Sequence, residues 1–116
     1  ALVQKSLLAA EALSKEGVSV EVIDLRTIVP LDTETIFNSV RKTNRVLIAH
    51  EDVKFMGFGA EIAAQIADIC FTELDAPVKR IGMKYAAAVG HAPNLENGVL
   101  PQNDEVLTVM RELLAF

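Results

Sequence analysis

Val46-Leu47-Ile48-Ala49-His50-Glu51-Asp52-Val53-Lys54-Phe55-Met56-Gly57-Phe58-Gly59-Ala60-Glu61-Ile62 is the stretch that decides the fold. It opens on a continuous apolar run, Val46 to Ala49. Such a run suits a strand covered on both faces, as in a parallel sheet. It closes on Gly57-Phe58-Gly59, a turn that hands the chain to a helix expected over about residues 60–74. Ile62, Ile66, Ile69 and Cys70 form that helix's inward stripe. A strand feeding a helix is the repeating unit of α/β folds.

The same alternation extends outward. Upstream, Leu2 to Glu16 carries apolar residues at Leu2, Val3, Leu7, Ala10 and Leu13, and Gly17 is a stop signal. Val18-Ser19-Val20-Glu21-Val22-Ile23-Asp24 reads as a strand. Asp32 is placed to cap a helix that buries Ile36, Phe37 and Val40. Downstream, Pro77-Val78-Lys79-Arg80-Ile81 reads as a third strand and residues 83–102 as a loop. Asn103 is expected to cap a last helix with Val106, Leu107, Met110, Leu113 and Leu114 on one face. Strands alternating with helices imply right-handed crossovers, hence a mostly parallel sheet with helices on both faces. The first helix has no strand before it, so the expectation is that at least one N-terminal strand of the domain is missing.

The 116 residues are 51% apolar and 23% charged, enough to bury a core. A net charge of −5 with no basic cluster longer than Arg41-Lys42 argues against a nucleic-acid partner. No apolar run approaches a membrane span. The single Cys70 reads as core filler.

Three places could carry chemistry. Gly57-Phe58-Gly59 has the setting of a phosphate turn, but the dinucleotide fingerprint would need glycine where Ile62 stands, so a tight packing turn is the favoured reading. His50-Glu51-Asp52 follows the second strand, where ligands gather in open sheets. Adjacent strand residues point to opposite faces, however, and a polar loop or a subunit contact is favoured. Asp24 and Arg26 can pair at the sheet's edge, to fix the loop or to meet an anion. No nucleophile–base set and no metal-ligand spacing is present.

Taken in order, Asp24-Leu25-Arg26-Thr27-Ile28-Val29-Pro30-Leu31-Asp32, Arg45 to Asp52, Gly57 to Ile62, and Ala76-Pro77-Val78-Lys79-Arg80 closely resemble the C-terminal domain of the transketolase family. The nearest likeness is to the β subunit, or fused β half, of the decarboxylating component of pyruvate and branched-chain 2-oxoacid dehydrogenase complexes. The resemblance covers essentially the whole chain. Two departures stand out: Met56 where the family usually has glycine, and residues 83–95, where Tyr85, an alanine run, Gly90 and His91 replace a Pro-rich segment.

The resemblance implies a three-layer α/β/α domain over residues 1–116, incomplete at its N-terminus. It implies a non-catalytic assembly role in an enzyme that oxidatively decarboxylates 2-oxoisovalerate or pyruvate and passes the acyl group to lipoyl. Thiamine diphosphate and Mg²⁺ would be held by other domains, so no catalytic, cofactor or metal residue is carried onto this chain. The implied partners are an α subunit or fused α half, a second β subunit, and the subunit-binding domain of the acyltransferase. Phe116 is the candidate for acyltransferase docking. Arg26, His50, Glu51 and Asp52 form a candidate loop-edge or interface cluster. The expected compartment is the bacterial cytoplasm or the mitochondrial matrix. The alternatives are the C-terminal domain of an acetoin dehydrogenase, a transketolase or a deoxyxylulose-phosphate synthase, or a free-standing flavodoxin-like module that uses Gly57 to Gly59 for a phosphate.

Overall fold

The computed structural model describes residues 2–84 and 101–116. At its centre β1 (Leu47–Val53) and β2 (Lys79–Met83) run parallel, with Leu47, Ile48 and Ala49 opposite Lys79, Arg80 and Ile81. The register slips between Ala49 and Val53. Gly82 packs against the backbone at the end of β1, since a Cβ there would lie 2.8 Å from the Lys54 Cα.

Among the described residues four helices flank this pair: α1 (Leu2–Ser14), α2 (Thr33–Thr43), α3 (Phe58–Ile69) and α4 (Asn103–Leu114). One core cluster joins Ile36 and Val40 of α2 to Ile62 and Ile66 of α3 and to Cys70, with Val46 and Ile48 packed against it. The other joins Leu2 and Ala9 of α1 to Ile81 and Val106, with Leu47 and Ala49 packed against it. Successive residues of 46–49 thus serve opposite clusters, as side chains on a pleated strand must. This produces the expected three layers: α2 and α3, the sheet, then α1 and α4.

Several boundaries differ from expectation. Residues 18–24 form no strand: Val18 N–H closes the end of α1 on the Leu13 carbonyl at 3.0 Å, and no strand ladder follows. Helix α3 ends at Ile69 rather than near 74, where a 3₁₀ turn (Phe71–Glu73) takes over. Ile69 therefore leaves the inward stripe and is half exposed, whereas Cys70 is fully buried. In α1 the buried small residue is Ala9 rather than Ala10, and Leu7 is exposed. Leu114 likewise sits outside the core. Gln102 occupies the cap position of α4 without a side-chain capping bond, so Asn103 is its first residue and not its cap. β2 begins at Lys79, later than Pro77. Most of the expected 83–102 loop lies outside the described residues.

The α2 cap is formed as its chemistry requires. The Asp32 carboxylate accepts from the Thr35 amide at 3.1 Å and from the Thr35 hydroxyl at 2.6 Å. These bonds, the hydroxyl's first, hold its pKa below the ordinary value of 3.8. A depressed pKa in the folded state adds stability that is complete above the unfolded carboxylate range and is lost as pH falls through the folded value. Asp32→Ala should therefore lower the urea midpoint at neutral pH, and the gap to the parent should narrow in acid. Asp32→Asn, which keeps an acceptor, should retain most of the neutral-pH stability. A gap that is the same at every pH would remove the charge from the account.

Candidate functional site

The carboxyl ends of the strands and the loops that leave them form the edge where the candidate polar residues lie. In the loop before α2, Arg26 Nε is 3.4 Å from Asp24 Oδ2, and the Arg26 side chain is largely exposed. Such a surface pair contributes little stability. Beyond it Ile28 is half exposed and Val29 is 87% exposed, ahead of a cis Val29–Pro30 bond.

β1 continues through Val53, so His50, Glu51 and Asp52 are strand residues rather than the start of a loop. They do not converge. His50 turns toward the start of α3. Its Nδ1 lies 3.0 Å from the Asp52 carbonyl oxygen, and because a carbonyl only accepts, Nδ1 is the donor. Its Nε2 is buried without a partner. Glu51 and Asp52 face solvent, and Asp52 Oδ1 accepts from the Val53 amide at 2.7 Å.

The glycine turn closes against this strand. A Cβ on Gly57 would run into the Val53 carbonyl oxygen. One on Gly59 would run into the His50 imidazole and stand 3.2 Å from Ile48 Cγ2. The two glycines let the first turn of α3 pack against β1, and the space beneath the turn is filled by the protein itself. That does not fit a phosphate cradle. Among the described residues no group of three or more His, Cys, Asp or Glu could hold a metal ion. The oxygen ligands of a magnesium diphosphate are not assembled here. Cys70 is buried, which pushes its thiol pKa up and away from a nucleophile's range.

Two features were not anticipated from the residues. The turn ahead of α3 exposes Phe55 (68%) and Met56 (84%), so it presents large apolar side chains to solvent, as Ile28 and Val29 do ahead of α2. Met56 also holds φ at +60°, in the left-handed region that favours glycine. The signal was present as apolar residues inside turn segments, where polar ones are usual. The second feature is Arg45. Its Nε donates to the Leu113 carbonyl at 3.0 Å and its Nη2 to the Phe116 carbonyl at 2.8 Å, while Nη1 is 3.8 Å from Asp75 Oδ2. The C-terminal turn is thus held by an arginine of the same chain, with the Phe116 ring outward and exposed.

Comparison with known proteins agrees with this architecture. The family described as transketolase, C-terminal domain, matches residues 1–106. The 2-oxoisovalerate dehydrogenase β subunit of Bacillus subtilis is 42% identical over 111 residues, covering 96% of this chain and 34% of that protein. The mitochondrial β subunit of the pyruvate dehydrogenase E1 component of Dictyostelium discoideum is 41% identical over 112 residues, covering 97% and 31%. The corresponding Staphylococcus aureus subunit is 39% identical over 116 residues, covering 100% and 35%. The chain thus spans about a third of the length of these relatives. A solved structure titled as a split-gene transketolase, inactive β4 tetramer, superposes with a TM-score of 0.76 at 24% identity, over 97% of this chain and 36% of that one, and shows the same fold.

Proposed function

The chain belongs to the transketolase C-terminal domain family, and on that premise we propose that it is the assembly domain of a 2-oxoacid dehydrogenase β subunit. The observation that carries this reading is the exposure of large apolar side chains on two loops, Ile28 and Val29 ahead of α2 and Phe55 and Met56 ahead of α3. Adjacent large apolar side chains left in solvent mark a protein contact. Glycines spent on internal packing, beside carboxylates that do not converge, speak for a surface rather than a reaction centre.

The parent enzyme in this reading oxidatively decarboxylates 2-oxoisovalerate or pyruvate and transfers the acyl group to lipoyl. It holds thiamine diphosphate and Mg²⁺ on other domains, and its compartment is a bacterial cytoplasm or a mitochondrial matrix. Similar identity to relatives named for either substrate suits a domain that does not choose between them. These apolar loops meet an α subunit or a second β subunit, with Arg26, Glu51 and Asp52 as polar neighbours. The exposed Phe116 end is the second contact, for the acyltransferase's subunit-binding domain, and the net charge of −5 steers a basic partner.

Val29→Lys with Met56→Lys in the full-length β subunit, produced together with its α subunit, tests the reading. Sedimentation should show loss of the complex, while the domain's unfolding free energy from urea titration stays within about 0.5 kcal/mol of the parent, as for other exposed positions. An intact complex in the double variant would sink the proposal. Appending Gly and Ser residues after Phe116 should separately weaken acyltransferase binding and leave α–β assembly unchanged.

A further inference from the structure

The chain carries one cysteine and three methionines, and their sulfurs differ in reach. Cys70 has no exposed surface. Met83 is partly buried at the end of β2, and Met110 of α4 packs against a core cluster. Met56 stands apart, 84% exposed beside Phe55 at 68%.

The backbone at Met56 is as unusual as its exposure. A φ of +60° lies in the left-handed region, where the Cβ of an L residue crowds the next carbonyl. Glycine would form the same turn without that cost. Met56 gains little packing in return, because its side chain faces solvent. Strain of this kind persists where a position serves something besides folding. The turn itself is not loose: Gly57 follows at once and packs the start of α3 against the end of β1. The thioether is therefore held outward by a packed element.

Thioethers share with thiols a ready oxidation by peroxides. A sulfur lone pair attacks one peroxide oxygen and the O–O bond breaks as the S–O bond forms. The proton of the transferred oxygen passes to the departing hydroxide, which leaves as water. Sulfur loses two electrons and the peroxide is reduced. The flexible apolar side chain becomes a polar acceptor. A sulfoxide taken into an apolar contact without a donor is unfavourable. A dithiol acting through a methionine sulfoxide reductase restores the thioether, leaving a disulfide and water.

We infer that Met56 is a reversible oxidation site of the free subunit: a hydroperoxide converts its thioether to the sulfoxide, and the Phe55–Met56 turn then no longer docks on its partner. The inference rests on the assembly reading above, which makes this turn a contact, and adds an order of events to it. The contact that needs the thioether also covers it. Oxidant therefore acts on subunits awaiting a partner and spares complexes already formed.

The test treats the full-length β subunit with hydrogen peroxide, quenches with free methionine and then adds the α subunit. Peptide mass mapping should show the added oxygen on Met56 before Met83 or Met110, and far less of it when the assembled complex is treated. Sedimentation should show the α–β affinity lowered by about tenfold or more, as for a buried polar group without a partner. The reductase with dithiothreitol should restore it. Met56→Leu, apolar and without sulfur, should show the same affinity with and without peroxide. Met56→Gln, which puts an amide near the place of the sulfoxide, should assemble as poorly as the oxidised parent. Oxidation of Met83 or Met110 as fast as Met56 overturns the assignment, and so does a Met56→Leu subunit that peroxide disables equally. Normal assembly of Met56→Gln overturns the switch alone if Val29→Lys with Met56→Lys still breaks the complex. If that double variant also assembles, the docking reading falls and the switch falls with it.

Discussion

Ile66→Ala is expected to lower the unfolding free energy by roughly 2–5 kcal/mol. Ile66 has no exposed surface and lies at the centre of the cluster that ties α2 and α3 to the sheet. Its neighbours are Val40, Ile62 and Cys70, all buried, and β1 limits how far they can collapse into a void. Domains of this size have only about 5–15 kcal/mol in total. The comparison that isolates the cause is Leu7→Ala. Leu7 is 52% exposed on α1, although the helical pattern had placed it inward. Its truncation should cost far less in the same denaturant titration. Equal losses would mean that Leu7 loses as much packing as Ile66 and that burial does not separate the two positions, since alanine's helix propensity favours both substitutions.

These two leucine and isoleucine positions show what the residues could and could not reveal. The run Val46 to Ala49 and the helix after Gly57 were legible because each states its own burial: uninterrupted apolar in one, a 3.6-residue stripe in the other. The Asp32 cap was legible because its acceptor and donor are three residues apart. The strand expected at residues 18–24 was not, although its composition favours one. A strand exists only when a partner takes its backbone groups, and that partner is remote in sequence. The end of α3 was misplaced for a related reason. The apolar pattern continues past Ile69, but the backbone tightens into a 3₁₀ turn, and the Asn44 side-chain amide donates to the Glu73 carbonyl at 2.7 Å. Arg45 could not be read as the brace of the C-terminus, since the carbonyl it holds lies 71 positions away. For the candidate site, the motif His50-Glu51-Asp52 was visible, but its extension of β1 and the inward turn of His50 depend on Gly59, a packing relation that spacing does not encode.

That packing relation makes Gly59 and His50 a coupled pair. Glycine is a poor residue inside a helix, and alanine there is better by about 1 kcal/mol when nothing obstructs it. At Gly59 something does: the new Cβ would meet the His50 ring and press on Ile48 Cγ2 at 3.2 Å. Gly59→Ala in the parent should therefore destabilise, by about 1–3 kcal/mol as for other overpacked contacts. His50→Ala removes the ring together with the buried, unpartnered Nε2. In that background Gly59→Ala should turn neutral or stabilising, with Ile48 the remaining constraint. The coupling between the two substitutions is then about 2 kcal/mol, in the range seen for residues in direct contact. Urea unfolding of the four proteins of this cycle measures it. Equal costs of Gly59→Ala in both backgrounds would show that the Ile48 side chain, not the imidazole, is the obstacle. The result also bears on assembly. The first turn of α3 carries the exposed Phe55 and Met56 immediately before it, so whatever spaces α3 from β1 sets the height of those apolar side chains. Gly59→Ala in the full-length subunit should thus weaken the complex more than its stability loss alone explains, and His50→Ala should restore both together.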